Sequence, residues 1–266
     1  MTLPVGLTIA GSDSSGGAGI QADLKTFAAF GVYGASVITA LTAQNTRGVS
    51  GIHPVPPAFV TAQIDAVFDD LDVKAVKIGM LAEFATIEAV AAALSRWKPK
   101  LVVLDPVMVA TSGDRLLSAD AVSALRERLV PKATLITPNL PEAAALLEEA
   151  IASDEAAITS QGRKLLAMGA QAVLIKGGHG QGTESTDYLF IGRRVTALPA
   201  PRIATKNTHG TGCSLSSAIA AGLAKGQTLE QAVHDAKVWI TAAIAAADGL
   251  GIGHGHGPIH HFHRFD

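Results

Sequence analysis

Short aliphatic runs alternate along the chain with longer Ala/Leu-rich stretches that repeat at helical spacing. Near-continuous apolar runs of four to eight residues suit parallel strands buried on both faces, and the alternation is that of βα units around a mostly parallel sheet. The pattern predicts strands at Val5–Ala10, Ala35–Leu41, Val73–Ile78, Leu101–Asp105, Thr134–Thr137 and Ala172–Lys176. It predicts helices at Ala22–Phe30, Pro57–Phe68, Ala82–Arg96, Ala119–Val130, Pro141–Glu149 and Ser153–Met168. Beyond Lys176 the rhythm changes. Asp187–Ala197, with Gly192 between two β-prone runs, reads as a hairpin and gives the sheet an antiparallel edge. Helices at Gly212–Lys225 and Leu229–Asp248 follow. No Pro/Ser-rich linker and no repeat interrupts this order, so residues 1–266 are expected to form one α/β domain.

Composition narrows the function. Apolar residues are 48% of the chain and charged residues 17%, which excludes a disordered or highly charged protein. Acidic residues number 23 against 21 basic ones, with no Lys/Arg run, so nucleic acid is not an expected partner. No apolar run approaches the roughly 18 residues of a membrane span, and the start shows no secretory pattern. Cys213 is the one cysteine, so neither a disulfide framework nor a cysteine metal cage is available. A reducing cytoplasm is the expected location.

The chemistry gathers where strands run into glycine-rich turns. Gly11-Ser12-Asp13-Ser14-Ser15-Gly16-Gly17-Ala18-Gly19 joins a strand to a helix, the place where backbone amides approach a ligand. Gly17-x-Gly19-x-x-Ala22 matches the dinucleotide fingerprint loosely, but the acidic residue required about 20 positions later is missing. Asn207-Thr208-His209-Gly210-Thr211-Gly212-Cys213 opens another helix, and its amides suit a phosphate or an anionic transition state; a plain capped helix start explains the same glycines. Cys213 falls in that helix's first turn, where the macrodipole favours thiolate, although a lone cysteine is also an ordinary small hydrophobe. Asn139 and Glu142 make a complete capping box and equally a set of oxygens for hydrated magnesium. Asp105 and Lys176 each end a strand. The histidine-rich tail from Gly249 lacks a supporting Glu or Cys, and no metal is assigned to it.

Together these segments resemble the hydroxymethylpyrimidine/phosphomethylpyrimidine kinases of thiamine biosynthesis, a branch of the ribokinase-like superfamily. The residues that carry the resemblance are Thr8–Asp13, Gly16–Lys25, Thr39–Thr46, Lys77–Leu81, Asp105–Met108, Thr137–Glu142, Lys176–His179, Asn207–Cys213 and Gly257–His263. The resemblance implies a three-layer α/β/α sandwich and ATP-dependent phosphorylation of the pyrimidine's hydroxymethyl group, then of the monophosphate. It implies that Gln44 hydrogen-bonds the aminopyrimidine, with Gly11, Ala18, Asp23, Met80 and Val107 lining the same pocket. Asp105, Asn139, Glu142 and Lys176 are expected to serve ATP and Mg2+, with Asp105 and Glu142 meeting the metal partly through water. Gly210 and Gly212 amides would form the anion hole, and Cys213 stands where the wider superfamily has a catalytic aspartate. Thr111 replaces a lysine common in relatives, which removes one cationic phosphate contact. Homodimers are usual in the family. A pyridoxal kinase of the same fold is the main alternative, ahead of a non-catalytic pyrimidine-binding regulator and a nicotinamide oxidoreductase.

Overall fold

The computed structural model describes residues 2–108, 118–180 and 182–265. Its centre is a nine-stranded sheet in the order β3-β2-β1-β4-β5-β6-β7-β8-β9. The strands are β1 (Val5–Asp13), β2 (Tyr33–Asn45), β3 (Gly48–Pro54), β4 (Val73–Ile78), β5 (Val102–Leu104), β6 (Leu135–Ile136), β7 (Ala172–Ile175), β8 (Asp187–Ile191) and β9 (Arg194–Leu198). From β2 to β7 the neighbours are parallel; β3 at one side and β8–β9 at the other are antiparallel. The expected antiparallel edge is present at β8–β9. A second one, β3, was not expected: Gly51 and Pro54 break its apolar pattern, and most of its side chains are exposed.

Two helical layers cover the sheet. On one face lie α2 (Pro57–Asp70), α3 (Phe84–Trp97), α4 (Ala119–Ala124), α5 (Leu140–Leu147) and α6 (Glu155–Ala167). On the other lie α1 (Gly19–Ala29), α7 (Thr211–Ala224) and α8 (Leu229–Ala245). Strand alternation sorts the core: Leu7, Ile9, Val76 and Ile78 pack with the first layer, whereas Ala75 and Val103 pack with Phe27, Leu215 and Trp239 of the second. Burying each large aliphatic side chain contributes roughly 1.5–3 kcal/mol.

Two helix boundaries depart from expectation for local reasons. Ala82 has φ 64° and Glu83 is extended, so α3 starts only at Phe84. The helix predicted over Ala119–Val130 keeps α geometry only to Ala124 and then widens, with the Val130 amide bonded to the Leu125 carbonyl. Pro131 has no amide hydrogen to continue the ladder.

Strand order reverses beside β1, whose neighbours β2 and β4 belong to opposite halves of the sheet. Such a switch point opens a crevice past the carboxyl ends of the strands. Asp13, Gln44, Asp105, Asn139 and Lys176 all stand at or just beyond those ends.

Candidate active site

A cavity of about 640 Å³ fills this crevice. Gly11, Ala18, Gln44, Met80 and Val107 line one end; Asn139, Glu142 and Lys176 line the other; Asp105, Gly210, Gly212 and Cys213 lie in the wall between. Thus twelve of the thirteen residues singled out from the sequence border a single cavity. Asp23 does not. It is fully buried behind the wall, where both carboxylate oxygens bond Lys77 Nζ at 2.8 Å, and it also accepts from Thr8 Oγ1 at 2.6 Å and Ser217 Oγ at 2.7 Å. Thr111 lies outside the described residues.

At the acidic end, the two sequence readings of Asn139 and Glu142 are compatible. Asn139 Oδ1 accepts the Glu142 amide and Glu142 Oε2 accepts the Asn139 amide, both at 2.8 Å, so the capping box forms. Glu142 Oε2 also lies 3.7 Å from Lys176 Nζ, which donates to Asp105 Oδ1 at 2.7 Å. Burial pushes the Glu142 carboxyl up to about 7; Lys176 resists this and the Asp105 charge adds to it. Burial also opposes ionisation of Asp105, but the Lys176 and Lys77 ammoniums outweigh it and hold that carboxyl below its usual range. This corner of the pocket therefore brings together one firm anion, Asp105, one reluctant anion, Glu142, and the Lys176 cation.

The turn 208–213 leads into α7, whose cap residue Gly210 has φ 81° and whose first turn has no side-chain cap. The Thr211 amide turns back to the Thr208 carbonyl at 3.2 Å, and with no side chain capping the turn its remaining amides can meet a ligand. A β-carbon on Gly212 would approach Lys176 Nζ to 3.3 Å, so this backbone passes directly beside the Lys176 ammonium. α1 is likewise uncapped by any side chain, and its Gly19 amide donates to Cys213 Sγ.

The thiol corrects the sequence reading. Helix-start geometry favours thiolate, yet burial pushes Cys213 up to about 11, with Lys77 and the Gly19 amide opposing and Asp23 and Asp105 adding to the rise. Without a ligand the group is a thiol at neutral pH. Desolvation outweighs the helix dipole.

Several site residues escaped the sequence reading. Lys77 shares the face of β4 that Ala75 turns to α1 and α7; a lysine inside the apolar run Val73–Ile78 is itself a sign of a buried partner. Lys237 sits on the buried stripe of α8, borders the cavity, and pairs with Asp187 at 2.8 Å. Asp13 and His209 join the two glycine-rich turns at 2.7 Å. The tail histidines brace the structure. His261 meets Ser214 at 2.9 Å and is pushed down to about 4 by burial, while His256 and His263 face backbone carbonyls. Among the described residues no group of three or more His, Cys, Asp or Glu could hold a metal.

Comparison with known proteins places the chain in a family. A sequence model described as phosphomethylpyrimidine kinase matches residues 13–260. The chain is 61% identical, over 98% of both chains, to a hydroxymethylpyrimidine/phosphomethylpyrimidine kinase of Rhizobium meliloti. It is 56% identical to a thiamine biosynthesis bifunctional protein of Geobacter sulfurreducens, covering 96% of this chain and 51% of that one. Among solved structures, an ADP complex of Bacillus subtilis pyridoxal kinase superposes with a TM-score of 0.92 at 38% identity over the whole of both chains. The fold is the ribokinase-like α/β/α sandwich, and the chain belongs to the phosphomethylpyrimidine kinase family.

Proposed function

We propose that this protein phosphorylates 4-amino-5-hydroxymethyl-2-methylpyrimidine with ATP, and then phosphorylates the monophosphate to the diphosphate, in thiamine biosynthesis. The observation that carries this is the division of one cavity into an amide-bearing end at Gln44 and a phosphate end at Lys176, with uncapped helix amides between them. A flat heterocycle with ring nitrogens suits the first and a nucleotide triphosphate the second. We further propose that residues 1–266 act as one domain, as a cytoplasmic homodimer. No helix of the described residues is long and apolar enough to cross a membrane.

In this reading Gln44 holds the aminopyrimidine between Ala18, Met80 and Val107, which places its hydroxymethyl group toward Cys213. Lys176 and the Gly210 and Gly212 amides hold the transferring phosphoryl group. Such chemistry is mostly positioning and charge stabilisation, and loss of proximity alone is worth several powers of ten in rate. Ile203, Ile240 and Ile244 provide an apolar wall for the nucleotide base. Cys213 in its thiolate form, which Lys77 and the Gly19 amide favour against burial, accepts the hydroxyl proton and becomes the thiol. Because phosphoryl transfer has a loose transition state, that proton leaves late, and a small thiolate fraction meets the demand.

Asp105 and Glu142 fit a magnesium ion bound chiefly by phosphates and water, since Mg2+ uses few carboxylates and Glu142 carries a charge that its surroundings disfavour. When bound, the ion would neutralise charge on the phosphates.

The test is steady-state ADP release with hydroxymethylpyrimidine, its monophosphate and pyridoxal as acceptors. Turnover of both pyrimidines is expected. Much faster turnover of pyridoxal with none of the monophosphate would favour the second reading, a pyridoxal kinase, which the whole-chain likeness to the Bacillus enzyme supports.

A further inference from the structure

Asp13 ends β1 and is almost completely buried. Its Oδ1 accepts the Ser15 amide and hydroxyl, both at 2.8 Å; its Oδ2 accepts the Gly17 amide at 3.1 Å and the Ala18 amide at 2.8 Å, and lies 2.7 Å from His209 Nε2. Burial opposes its charge, but these donors, His209 first, hold the carboxyl well below its usual range. A carboxylate can only accept, so His209 Nε2 carries a hydrogen and donates it. Thr42 Oγ1 gives its one hydrogen to the Ser12 carbonyl at 2.8 Å, so it meets the Gln44 amide, 3.1 Å away, as an acceptor. The Gln44 NH2 therefore belongs on the Thr42 side and its oxygen on the side of the His209 N–H, 3.5 Å away, which leaves one amide hydrogen for a ligand in the cavity.

The two glycine-rich turns also touch directly. A β-carbon on Gly17 would lie 2.4 Å from His209 Cδ2, and one on Gly210 would lie 1.8 Å from the Gly17 carbonyl oxygen. Neither turn can shift without the other. On its far side the His209 amide donates to the Gly257 carbonyl at 3.0 Å, so the imidazole is held at both its ring and its backbone.

We propose that His209 is a positioning residue that links acceptor recognition to phosphoryl transfer: through Asp13 it locks the turn bearing Gly210 and Gly212 onto the loop 14–18 and fixes which way the Gln44 amide faces. An acceptor held by Gln44 is thereby held in register with the amides that receive the phosphoryl group. This inference rests on the kinase reading above.

The test compares wild type with His209→Gln and His209→Asn. The Gln amide hydrogen can reach the position of ring Nε2 and donate to Asp13; the Asn side chain is one bond too short. His209→Asn is expected to lower kcat about 100-fold and raise the acceptor KM, since a misplacement of about 1 Å costs that much. Its KM for ATP should be unchanged, and His209→Gln should recover most of the loss. Equal losses in both variants, or an Asn variant within threefold of wild type, would overturn the link. A second arm does not depend on activity: in 15N-labelled free protein, NMR should find a hydrogen on His209 Nε2, and an unprotonated Nε2 would overturn the proposal. Were wild type to release no ADP with any acceptor, the kinase reading would fall while this arm still decided the His209 contact.

Discussion

Replacing Gly210 by alanine separates the cost of an unusual backbone from the cost of displacing the anion-binding turn. Gly210 has φ 81°, and a β-carbon there would lie 1.8 Å from the Gly17 carbonyl oxygen, against the 3.4 Å at which ordinary contact begins. The turn must therefore retreat by about 1.6 Å, the difference between those two distances. Left-handed backbone costs roughly 1–2 kcal/mol in an L-residue, and overpacking adds about 1–3 kcal/mol. At about 2–4 °C per kcal/mol for a chain of this size, Tm should fall by about 4–20 °C. A shift larger than 1 Å at groups that position a reacting phosphoryl should cost at least about 100-fold in kcat. Gly192, in the β8–β9 turn, is the matched control: its φ is 55°, and a β-carbon would meet nothing within 4 Å. Gly192→Ala should show only the backbone cost, a few degrees in Tm, with kcat unchanged. Thermal unfolding and ADP release measured on both variants decide the matter. If Gly210→Ala turned over within threefold of wild type, or lost no more than Gly192→Ala, the turn would not be the phosphoryl cradle.

Other consequences follow from the buried charges. Cys213, pushed up to about 11, should react slowly with iodoacetamide in the free protein at pH 7 and speed up only well above pH 9; alkylation at pH 7 as fast as a free thiol, read by mass spectrometry, would refute the raised proton affinity of this cavity-wall thiol. Glu142 keeps its proton in the folded state up to about pH 7, whereas the unfolded chain loses it near 4.5, so stability falls as pH rises through that window, by roughly 3 kcal/mol in all. Glu142→Gln should therefore gain Tm relative to wild type at pH 8 but not at pH 4.5, while magnesium-dependent turnover drops; a pH-independent difference in Tm would contradict this. Lys77→Met leaves the Asp23 carboxylate unpaired and should cost about 3–5 kcal/mol, most of it recovered in the double variant with Asp23→Asn. A single variant as stable as the double, by denaturant unfolding, would show that the pair is not what holds Asp23.

Much of the architecture could be read from hydrophobic periodicity because its strands are central and doubly covered. β4 occupies Val73–Ile78 as expected, since its four last residues are all buried. β3 is the opposite case: an edge strand with an exposed, Gly-interrupted pattern carries little periodic signal, and only its pairing with β2 creates it. The site residues were legible where they close a strand or open a helix, as Asp105, Asn139 and Gly210 do. Asp23 was misplaced on the pocket wall because sequence gives its helix but not which face of α1 turns inward. The pairs Asp23–Lys77 and Asp13–His209 span 54 and 196 residues, distances over which no local pattern operates. The state of Cys213 depends on the same kind of information, since the charges that bear on it, Lys77, Asp23 and Asp105, come from β4, α1 and the end of β5 rather than from its own helix.

The union of Asp13 with His209 also sets an order of events during synthesis. His209 leaves the ribosome 196 residues after Asp13, about 10–40 s at ordinary rates of elongation. Throughout that interval the loop 14–18 can fold around Asp13, but the carboxylate has no imidazole to hold. The tail makes the delay longer still: the His209 amide needs the Gly257 carbonyl, and the Gly255 and His256 amides bond Thr46. A nascent chain can thus assemble most of its sheet while the two glycine-rich turns are still unjoined, and the clasp closes only once the segment around Gly257 has been made.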